Sequence, residues 1–316
     1  MGPTASGKTA LAIELTKTLP CEIISVDSAL VYKGMNIGTA KPTAEELSEA
    51  PHQLIDIIEP TDSYDVAQFC DDAMRLIQQI HLRGNIPLLV GGTMMYFKAL
   101  LEGLNELPPA NKEIRAGIEL LAAEQGWPAV HAELAKVDEK SAQRLKPTDS
   151  QRLQRALEVY RISGRPLSEW HEIKAQAPLN DSQFNILQFA ISPQSRTVLH
   201  QRIAHRFEKM VGQGFLEEVI QLLAEYPQLT PTTPSMRAVG YRQAWEHIRG
   251  ENDLAEFIER GVIATRQLAK RQMTWMRGWP NLTWLQTNES GGLVLEPKEY
   301  AEIPPAEVIL ARVKSV

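Results

Sequence analysis

The sequence opens on the stretch GPTASGKT, at residues 2–9. It fits the pattern G-x-x-x-x-G-K-[ST], in which backbone N–H groups and a lysine surround phosphate oxygens. Such a loop normally connects a buried strand to the helix that it opens. The apolar spacing that follows predicts that helix from about Gly7 to Thr18. This stretch therefore predicts an α/β fold with a phosphate-binding loop at its start.

Strands and helices are predicted to alternate over residues 21–97. The stretch CEIISVDS (21–28) is typical of a buried strand that ends on Asp27, and further strands are predicted at 52–60 and at the start of 85–97. From Asp65 to Leu82 the apolar residues fall largely on one helix face. Together with the loop, this alternation predicts a P-loop NTPase-like parallel sheet flanked by helices.

The pattern changes near residue 107, and three segments are predicted. They are the first part of the core (1–106), an all-helical insertion domain (107–182) and a second, mostly helical part of the core (183–316). We expect the chain to return to the sheet through a strand at 184–192, then to form helical stretches at 196–226, 235–249 and 252–277 and a last strand at 282–287.

Composition restricts the class of protein. The chain has 316 residues, 43% of them hydrophobic, two cysteines and a net charge of −6. No apolar run approaches the roughly 20 residues of a membrane span, so no membrane association is expected. Two cysteines indicate neither a disulfide framework nor a zinc site and suit a reducing cytoplasm. The negative charge means that nucleic-acid binding would depend on local basic clusters.

Two features outside the loop are candidates for function. Asp27 lies at the carboxyl end of a predicted strand, where ligands bind in open parallel sheets, although an isolated aspartate there also fits a cap for the next turn. Basic residues exceed acidic ones over 144–166, and the segment 265–277 has four basic residues and no acid. Such clusters fit either a solvated helix face or a nucleic-acid contact.

Several segments, in this order and spacing, resemble bacterial tRNA dimethylallyltransferases, the tRNA isopentenyltransferase family. After the loop they are ISVDSALVYKGMNIGTAKP (24–42), LLVGGTMMYFKALLEG (88–103), QRLQRALEVYRISGRP (151–166), RAVGYRQAW (237–245) and ATRQLAKRQMTWMR (264–277). The resemblance implies transfer of a dimethylallyl group from dimethylallyl diphosphate to N6 of the adenosine just 3′ of the anticodon. The acceptors would be tRNAs that read codons beginning with U.

The resemblance also implies roles at the catalytic centre. Asp27 would be the general base, and Thr9 would hold Mg²⁺. Lys8 and Arg206 would neutralise the diphosphate leaving group. Arg202, one turn before Arg206, shares the same helix face, and Arg206 is our choice of the two. The predicted diphosphate-binding residues are Gly2, Pro3, Thr4, Ala5, Ser6, Gly7, Lys8, Thr9 and Arg206.

The tRNA anticodon stem-loop is the implied macromolecular partner, and the target base is expected to flip out of the stack. The implied contacts fall in four short segments and two single positions. They are Asp27, Ser28, Ala29 and Leu30; Thr93; Arg115; Gln151, Arg152, Leu153, Gln154 and Arg155; Arg237, Ala238, Val239, Gly240, Tyr241 and Arg242; and Lys270, Arg271 and Gln272. We expect the protein to act as a monomer.

Three other functions share parts of this pattern. A small-molecule kinase would share the loop, but the predicted strand before Gly91 and Gly92 ends without the acidic magnesium ligand usual in ATPases. An adenylate isopentenyltransferase would act on free nucleotides and lack the long helical insertion. A non-catalytic RNA-binding protein would not need Lys8, Thr9 and Asp27.

The start of the chain departs from the family pattern, because only Met1 precedes the loop. Family members have an apolar strand at that point. We therefore expect either a start codon upstream or a trimmed sequence, and we expect a chain extended by its native upstream residues to be more stable and more active than this one.

Overall fold

The computed structural model describes residues 1–173, 175–179, 184–294 and 304–314. In chain order the first elements are α1 (Lys8–Thr16), β1 (Cys21–Val26), α2 (Ala44–Glu49), β2 (His52–Gln53), α3 (Val66–Leu82), β3 (Ile86–Gly91) and α4 (Met94–Glu102). The middle of the chain forms α5 (Lys112–Gln125), α6 (Trp127–Val137), α7 (Glu139–Arg144), α8 (Ser150–Ser163) and α9 (Leu167–Glu172).

The last part contains β4 (Phe189–Pro193), α10 (Arg196–Gly212), α11 (Phe215–Glu225), a short 3₁₀ helix (Ser235–Arg237), α12 (Tyr241–Ile248), α13 (Leu254–Arg277), β5 (Thr283–Thr287) and α14 (Pro305–Lys314).

The chain divides into two compact units. The core unit comprises Met1–Ala99 with Ser182–Val316, and the helical unit comprises Leu100–Asp181. The helical unit thus begins at Leu100, ahead of the predicted boundary at 107.

All strands of the core unit pair in parallel. Strand β1 lies between β2 and β3, and β4 pairs with β5. Met1 lies beside β4, where its amino group donates to the carbonyl of Phe189 at 2.8 Å and its carbonyl accepts the N–H of Ile191 at 3.0 Å. The predicted α/β class, with a parallel sheet flanked by helices, is confirmed.

The strand predicted over 52–60 is mostly absent, because only His52 and Gln53 pair with β1. Leu54 and Asp56 have positive φ angles, of 63° and 55°, which interrupt extended backbone. The N–H groups of Asp56 and Ile57 instead bond to the segment after β1. This stretch is therefore an irregular connection that bonds through its backbone to the segment after β1.

Aromatic side chains form much of the core around α10, α11 and α13. Phe207, Phe215 and Phe257 pack with ring centroids 5.5–6.3 Å apart. Gly261 lets α13 approach α10 closely, since a Cβ atom there would lie 2.0 Å from the Phe207 ring. This packing fixes the position of α10, which carries Arg206, against α13, which carries Gln272.

The helical unit has its own apolar core, to which α5, α6, α7 and α8 contribute Ile118, Val130, Leu134, Ala142 and Leu153. Each of these residues is buried, and Val130 and Leu134 on α6 lie one helical turn apart on the same face. Among the helices that the structure describes, none has the length and apolar character that crossing a membrane requires.

Candidate active site

The loop at residues 2–9, called here the N-terminal loop, has the backbone shape of an anion site. Ala5 and Gly7 are left-handed, with φ angles of 62° and 94°, and the Ser6 N–H bonds to the Pro3 carbonyl at 3.3 Å. No described side chain caps α1, and its first turn has no acidic residue. The free N–H groups and the helix dipole therefore favour an anion at this end.

The Ser6 hydroxyl supports this interpretation. Its oxygen is buried and has no hydrogen-bond partner among the described residues. A buried polar atom without a partner is costly, and a bound phosphate oxygen would supply one. The N-terminal loop, which contains the predicted diphosphate-binding residues from Gly2 to Thr9, thus holds a buried polar group without a partner.

Three charged side chains beside this loop influence one another electrostatically. Burial lowers the pKa of Lys8 to about 8, while Asp27 opposes that shift and Arg206 adds to it. Burial likewise lowers the pKa of Arg206, and Asp27 again opposes the shift. Each of the three therefore lies within electrostatic reach of the others. Two cations and one carboxylate leave a net positive charge, which suits a polyanionic ligand.

The Lys8 side chain folds back over its own loop. Its Nζ atom donates to the Pro3 carbonyl at 2.9 Å, so that the loop encloses the ammonium group. Arg202, one helical turn before Arg206, points elsewhere and donates to the carbonyl of Glu289 at 2.9 Å. Of the two arginines, the structure therefore brings Arg206 to Lys8 and Asp27.

Asp27 follows β1 directly and makes a local bond. Its Oδ1 atom accepts the Ala29 N–H at 2.9 Å, which is the capping interaction that the sequence left open. Thr93, after β3, binds the same segment: its hydroxyl accepts the Ser28 N–H at 3.0 Å, and its own N–H donates to the Val26 carbonyl at 3.2 Å. The structure thus joins the predicted residues Asp27, Ser28, Ala29 and Thr93, and Leu30 continues this segment.

The three residues of 270–272 have different environments. Lys270 and Arg271 are exposed. Gln272 is buried and bonds to the N-terminal loop, since its Oε1 atom accepts the Thr4 N–H at 2.9 Å. The side chain of Gln272, predicted to touch tRNA, is therefore part of the support of the loop.

The segment 237–242 is also divided. Arg237 and Arg242 are exposed, Ala238 and Val239 are partly buried, and Gly240 and Tyr241 are buried. The Tyr241 hydroxyl donates to Glu218 at 2.5 Å, and burial next to this carboxylate raises the pKa of Tyr241. The Tyr241 side chain thus faces inward, whereas the two arginines remain accessible to a nucleic acid.

Glu218 is a structural residue that the sequence interpretation missed. Its carboxylate accepts backbone N–H groups from Asn36, Ile37 and Gly38, at 2.7–3.1 Å, in addition to the Tyr241 hydroxyl. A signal was present, because position 218 falls on the buried stripe of α11 with Phe215, Val219 and Leu222. An acid on an apolar face indicates a buried hydrogen-bonding partner.

The predicted contacts in the helical unit surround a buried acid. Glu158 is fully buried and accepts from Arg115 at 2.8 Å, from Arg155 at 2.7 Å and from the Asn111 N–H at 2.8 Å. Leu153 lies in the core. Of the other predicted positions in this segment, Gln151 and Arg152 are exposed and Gln154 is partly buried.

Comparison with known proteins identifies the family. The family model described as IPP transferase matches residues 30–279. A tRNA isopentenylpyrophosphate transferase from Bacillus halodurans is 35% identical, with a TM-score of 0.68, over 99% of this chain and 95% of that one. A tRNA delta(2)-isopentenylpyrophosphate transferase from Staphylococcus epidermidis is 32% identical, with a TM-score of 0.67, over 100% and 97%.

A third solved structure is a eukaryotic dimethylallyltransferase described as acting on tRNA. It is 26% identical to this chain, with a TM-score of 0.79, and the match covers 99% of this chain and 77% of that one. The resemblance drawn from the sequence motifs is confirmed, and the chain belongs to the IPP transferase family of enzymes.

Proposed function

We propose that this enzyme transfers the dimethylallyl group of dimethylallyl diphosphate to N6 of the adenosine 3′ of the anticodon, in tRNAs that read codons beginning with U. The observation that carries the proposal is that Lys8, Asp27 and Arg206 lie within electrostatic reach of one another beside the N-terminal loop. A carboxylate next to two cations and an anion-binding loop suits a reaction that removes a proton and releases a diphosphate. The family and its tRNA-modifying relatives support the choice of acceptor.

The chemistry follows from these groups. The N6 atom attacks the allylic carbon C1, the C1–O bond breaks, and its electron pair leaves with the diphosphate. Asp27 takes the proton that N6 loses, which matters because the N6 lone pair is delocalised into the adenine ring. Lys8, Arg206 and the N–H groups of the N-terminal loop stabilise the negative charge that develops on the leaving oxygen.

A Mg²⁺ ion fits this centre with few protein ligands. The Thr9 hydroxyl, in the first turn of α1, is the side chain that would hold it. Among the described residues, no group of three His, Cys, Asp or Glu side chains could hold a metal alone. Mg²⁺ commonly takes most of its ligands from phosphate oxygens and water, and when bound it would neutralise charge on the diphosphate.

Recognition of tRNA would depend on exposed cations. Arg152, Arg237, Arg242, Lys270 and Arg271 are exposed, and contacts with phosphates would give them a strong dependence on salt. The segment 27–30 and Thr93, next to the catalytic carboxylate, would bind the flipped base. We propose further that the enzyme acts in the cytoplasm as a monomer.

The test is a transfer assay with a defined set of acceptors. The chain is incubated with dimethylallyl diphosphate, Mg²⁺ and tRNA, an anticodon stem-loop, AMP or ATP, and the nucleosides are analysed by mass spectrometry. The expected product is N6-dimethylallyladenosine at the position 3′ of the anticodon, in tRNA and in the anticodon stem-loop but not in AMP or ATP. A matched stem-loop with guanosine at that position is the control. Modified AMP or ATP, or a phosphorylated product, would contradict the proposal.

A further inference from the structure

Gln272 uses both ends of its side-chain amide inside the protein. The residue is 8% exposed, although it directly follows the exposed residues Lys270 and Arg271 on α13. Its Oε1 atom accepts the Thr4 N–H at 2.9 Å, and its Nε2 atom donates to the Gly92 carbonyl at 2.9 Å. One amide therefore bridges the N-terminal loop and the turn after β3.

The glycines around this bridge leave little room for another arrangement. A Cβ atom on Gly92 would lie 2.3 Å from the Gln272 Nε2 atom and 3.2 Å from the Gly2 carbonyl oxygen. The absence of a side chain at Gly92 is what allows the turn, the loop and the amide to approach. The loop and the turn thus meet at a close contact that Gln272 holds from the side of α13.

The turn leads directly to the catalytic carboxylate. Thr93 follows Gly92 and binds the Ser28 N–H through its hydroxyl group, and Ser28 is adjacent to Asp27. A chain of hydrogen bonds therefore runs from the Thr4 N–H through Gln272 and the turn to the end of β1. It connects the group that would bind the diphosphate with the group that would take the proton.

We propose that Gln272 is a positioning residue for the transfer reaction, and that it holds the N-terminal loop in its diphosphate-binding shape and in register with the turn beside Asp27. The inference rests on the proposed function. This positioning role differs from a direct contact between Gln272 and RNA, because the oxygen and the nitrogen of the side-chain amide both form hydrogen bonds within the core unit. An anion site depends on amides that are held before the ligand arrives, so loss of the bridge should weaken diphosphate binding in the absence of RNA.

The experiment compares three variants of the full chain. Gln272→Met keeps the length and packing of the side chain but removes both hydrogen bonds. Gln272→Glu keeps an acceptor for the Thr4 N–H but places an oxygen against the Gly92 carbonyl. Gln267→Met is the matched control, since Gln267 is exposed on the same helix. Binding of inorganic diphosphate with Mg²⁺ is measured by calorimetry, and KM is then measured for dimethylallyl diphosphate and for tRNA.

We expect Gln272→Met and Gln272→Glu to bind diphosphate roughly 10- to 100-fold more weakly, as the loss of buried hydrogen bonds predicts. Their KM for dimethylallyl diphosphate should rise. In the control Gln267→Met, diphosphate affinity and KM should stay unchanged. Two results would overturn the inference: a lower melting temperature with unchanged diphosphate affinity, or a rise confined to KM for tRNA. The proposed function has its own test: it fails if the chain without substitutions transfers no dimethylallyl group to tRNA. In that case the titration with diphosphate still decides whether Gln272 supports the loop.

Discussion

The hydroxyl group of Thr93 accepts a hydrogen bond from the backbone N–H of Ser28 at 3.0 Å and so ties the end of β3 to the residue that follows Asp27. The Thr93 N–H donates in turn to the carbonyl of Val26, on the other side of Asp27. The backbone is thus held on both sides of the carboxylate. A base held in this way can act on a proton without a large rearrangement.

The first prediction concerns this carboxylate. Asp27→Asn should lower the single-turnover rate by roughly 10²- to 10⁴-fold, because the amide cannot accept the N6 proton. Affinity for diphosphate should not fall, since the substitution removes a negative charge beside Lys8 and Arg206. Rapid-quench measurements at saturating substrates check the rate. Asp71→Asn, on the exposed side of α3, is the control, and a near-normal rate for Asp27→Asn would exclude Asp27 as the base.

The second prediction concerns the protonation of Lys8. Its pKa is lowered to about 8, so the ammonium form is complete at pH 6 and is lost as the pH rises through about 8. A bound diphosphate favours the cation and raises this pKa again. Diphosphate binding near pH 8 should therefore take up a proton at Lys8, and affinity should fall above that pH.

Calorimetry in buffers with different ionisation enthalpies measures this proton uptake. Lys8→Arg is the matched variant, because an arginine remains charged over the whole range. Binding to this variant still includes any proton that the diphosphate itself takes up or releases. The difference in proton uptake between the two proteins therefore measures the contribution of Lys8. Equal proton uptake by both proteins would show that Lys8 is already fully charged in the free enzyme.

The third prediction concerns Glu218, which supports the segment after β1. Its carboxylate accepts three backbone N–H groups, from Asn36, Ile37 and Gly38, and the Tyr241 hydroxyl. In Glu218→Gln, the side-chain NH₂ group, which can only donate, would face groups that also donate. Since hydrogen bonds to a charged group contribute about 1.5–3 kcal/mol each, we expect the free energy of unfolding to fall by at least about 2 kcal/mol.

Urea unfolding followed by circular dichroism measures the change. Glu217→Gln is a closely matched control, because Glu217 is the neighbouring residue on α11 and is exposed. Its substitution should change the free energy of unfolding by less than about 0.5 kcal/mol. Equal stability of the two variants would mean that the hydrogen bonds of Glu218 are replaced by water at little cost.

The sequence predicted the elements that rest on local periodicity. Asp65 caps the start of α3, its side chain accepting the N–H groups of Ala67 and Gln68, and the helix ends at Leu82 as the apolar spacing indicates. The strand predicted over 52–60 was wrong beyond Gln53, because an apolar run does not reveal the left-handed backbone of Leu54 and Asp56. The helix α14 lies after the last predicted strand, where no element was predicted.

At the site, motifs located the segments but not the direction of each side chain. The resemblance placed Leu153, Tyr241 and Gln272 in tRNA-binding segments, and the structure turns all three side chains inward. Successive residues of a helix point in different directions, so adjacent positions of one motif have different surroundings. Lys8, Asp27 and Arg206 lie on different elements, and only the parallel sheet and the packing of α10 bring them within electrostatic reach of one another.

The last prediction separates two arginines that the sequence treated alike. Arg152 has 75% of its side chain exposed and only a weak pair with Asp149, at 3.4 Å. Arg155 is 30% exposed and binds both the buried Glu158 and the carbonyl of Pro108, each at 2.7 Å. A phosphate can approach Arg152 freely, whereas Arg155 already neutralises a carboxylate inside the helical unit. We therefore expect Arg152 to contribute to RNA affinity and Arg155 to stability.

Arg152→Ala should raise KM for tRNA and reduce the slope of log K against log salt by about one, while the melting temperature stays unchanged. Arg155→Ala should lower the melting temperature by several degrees, because Glu158 keeps Arg115 but loses its second cation while fully buried. Filter binding at several salt concentrations and thermal unfolding of both variants measure the two effects. The opposite result would be that Arg155→Ala weakens tRNA binding without lowering the melting temperature, while Arg152→Ala leaves tRNA binding unchanged. The assignment would then be reversed: the ion pair with Glu158 would orient Arg155 toward the RNA instead of stabilising the helical unit.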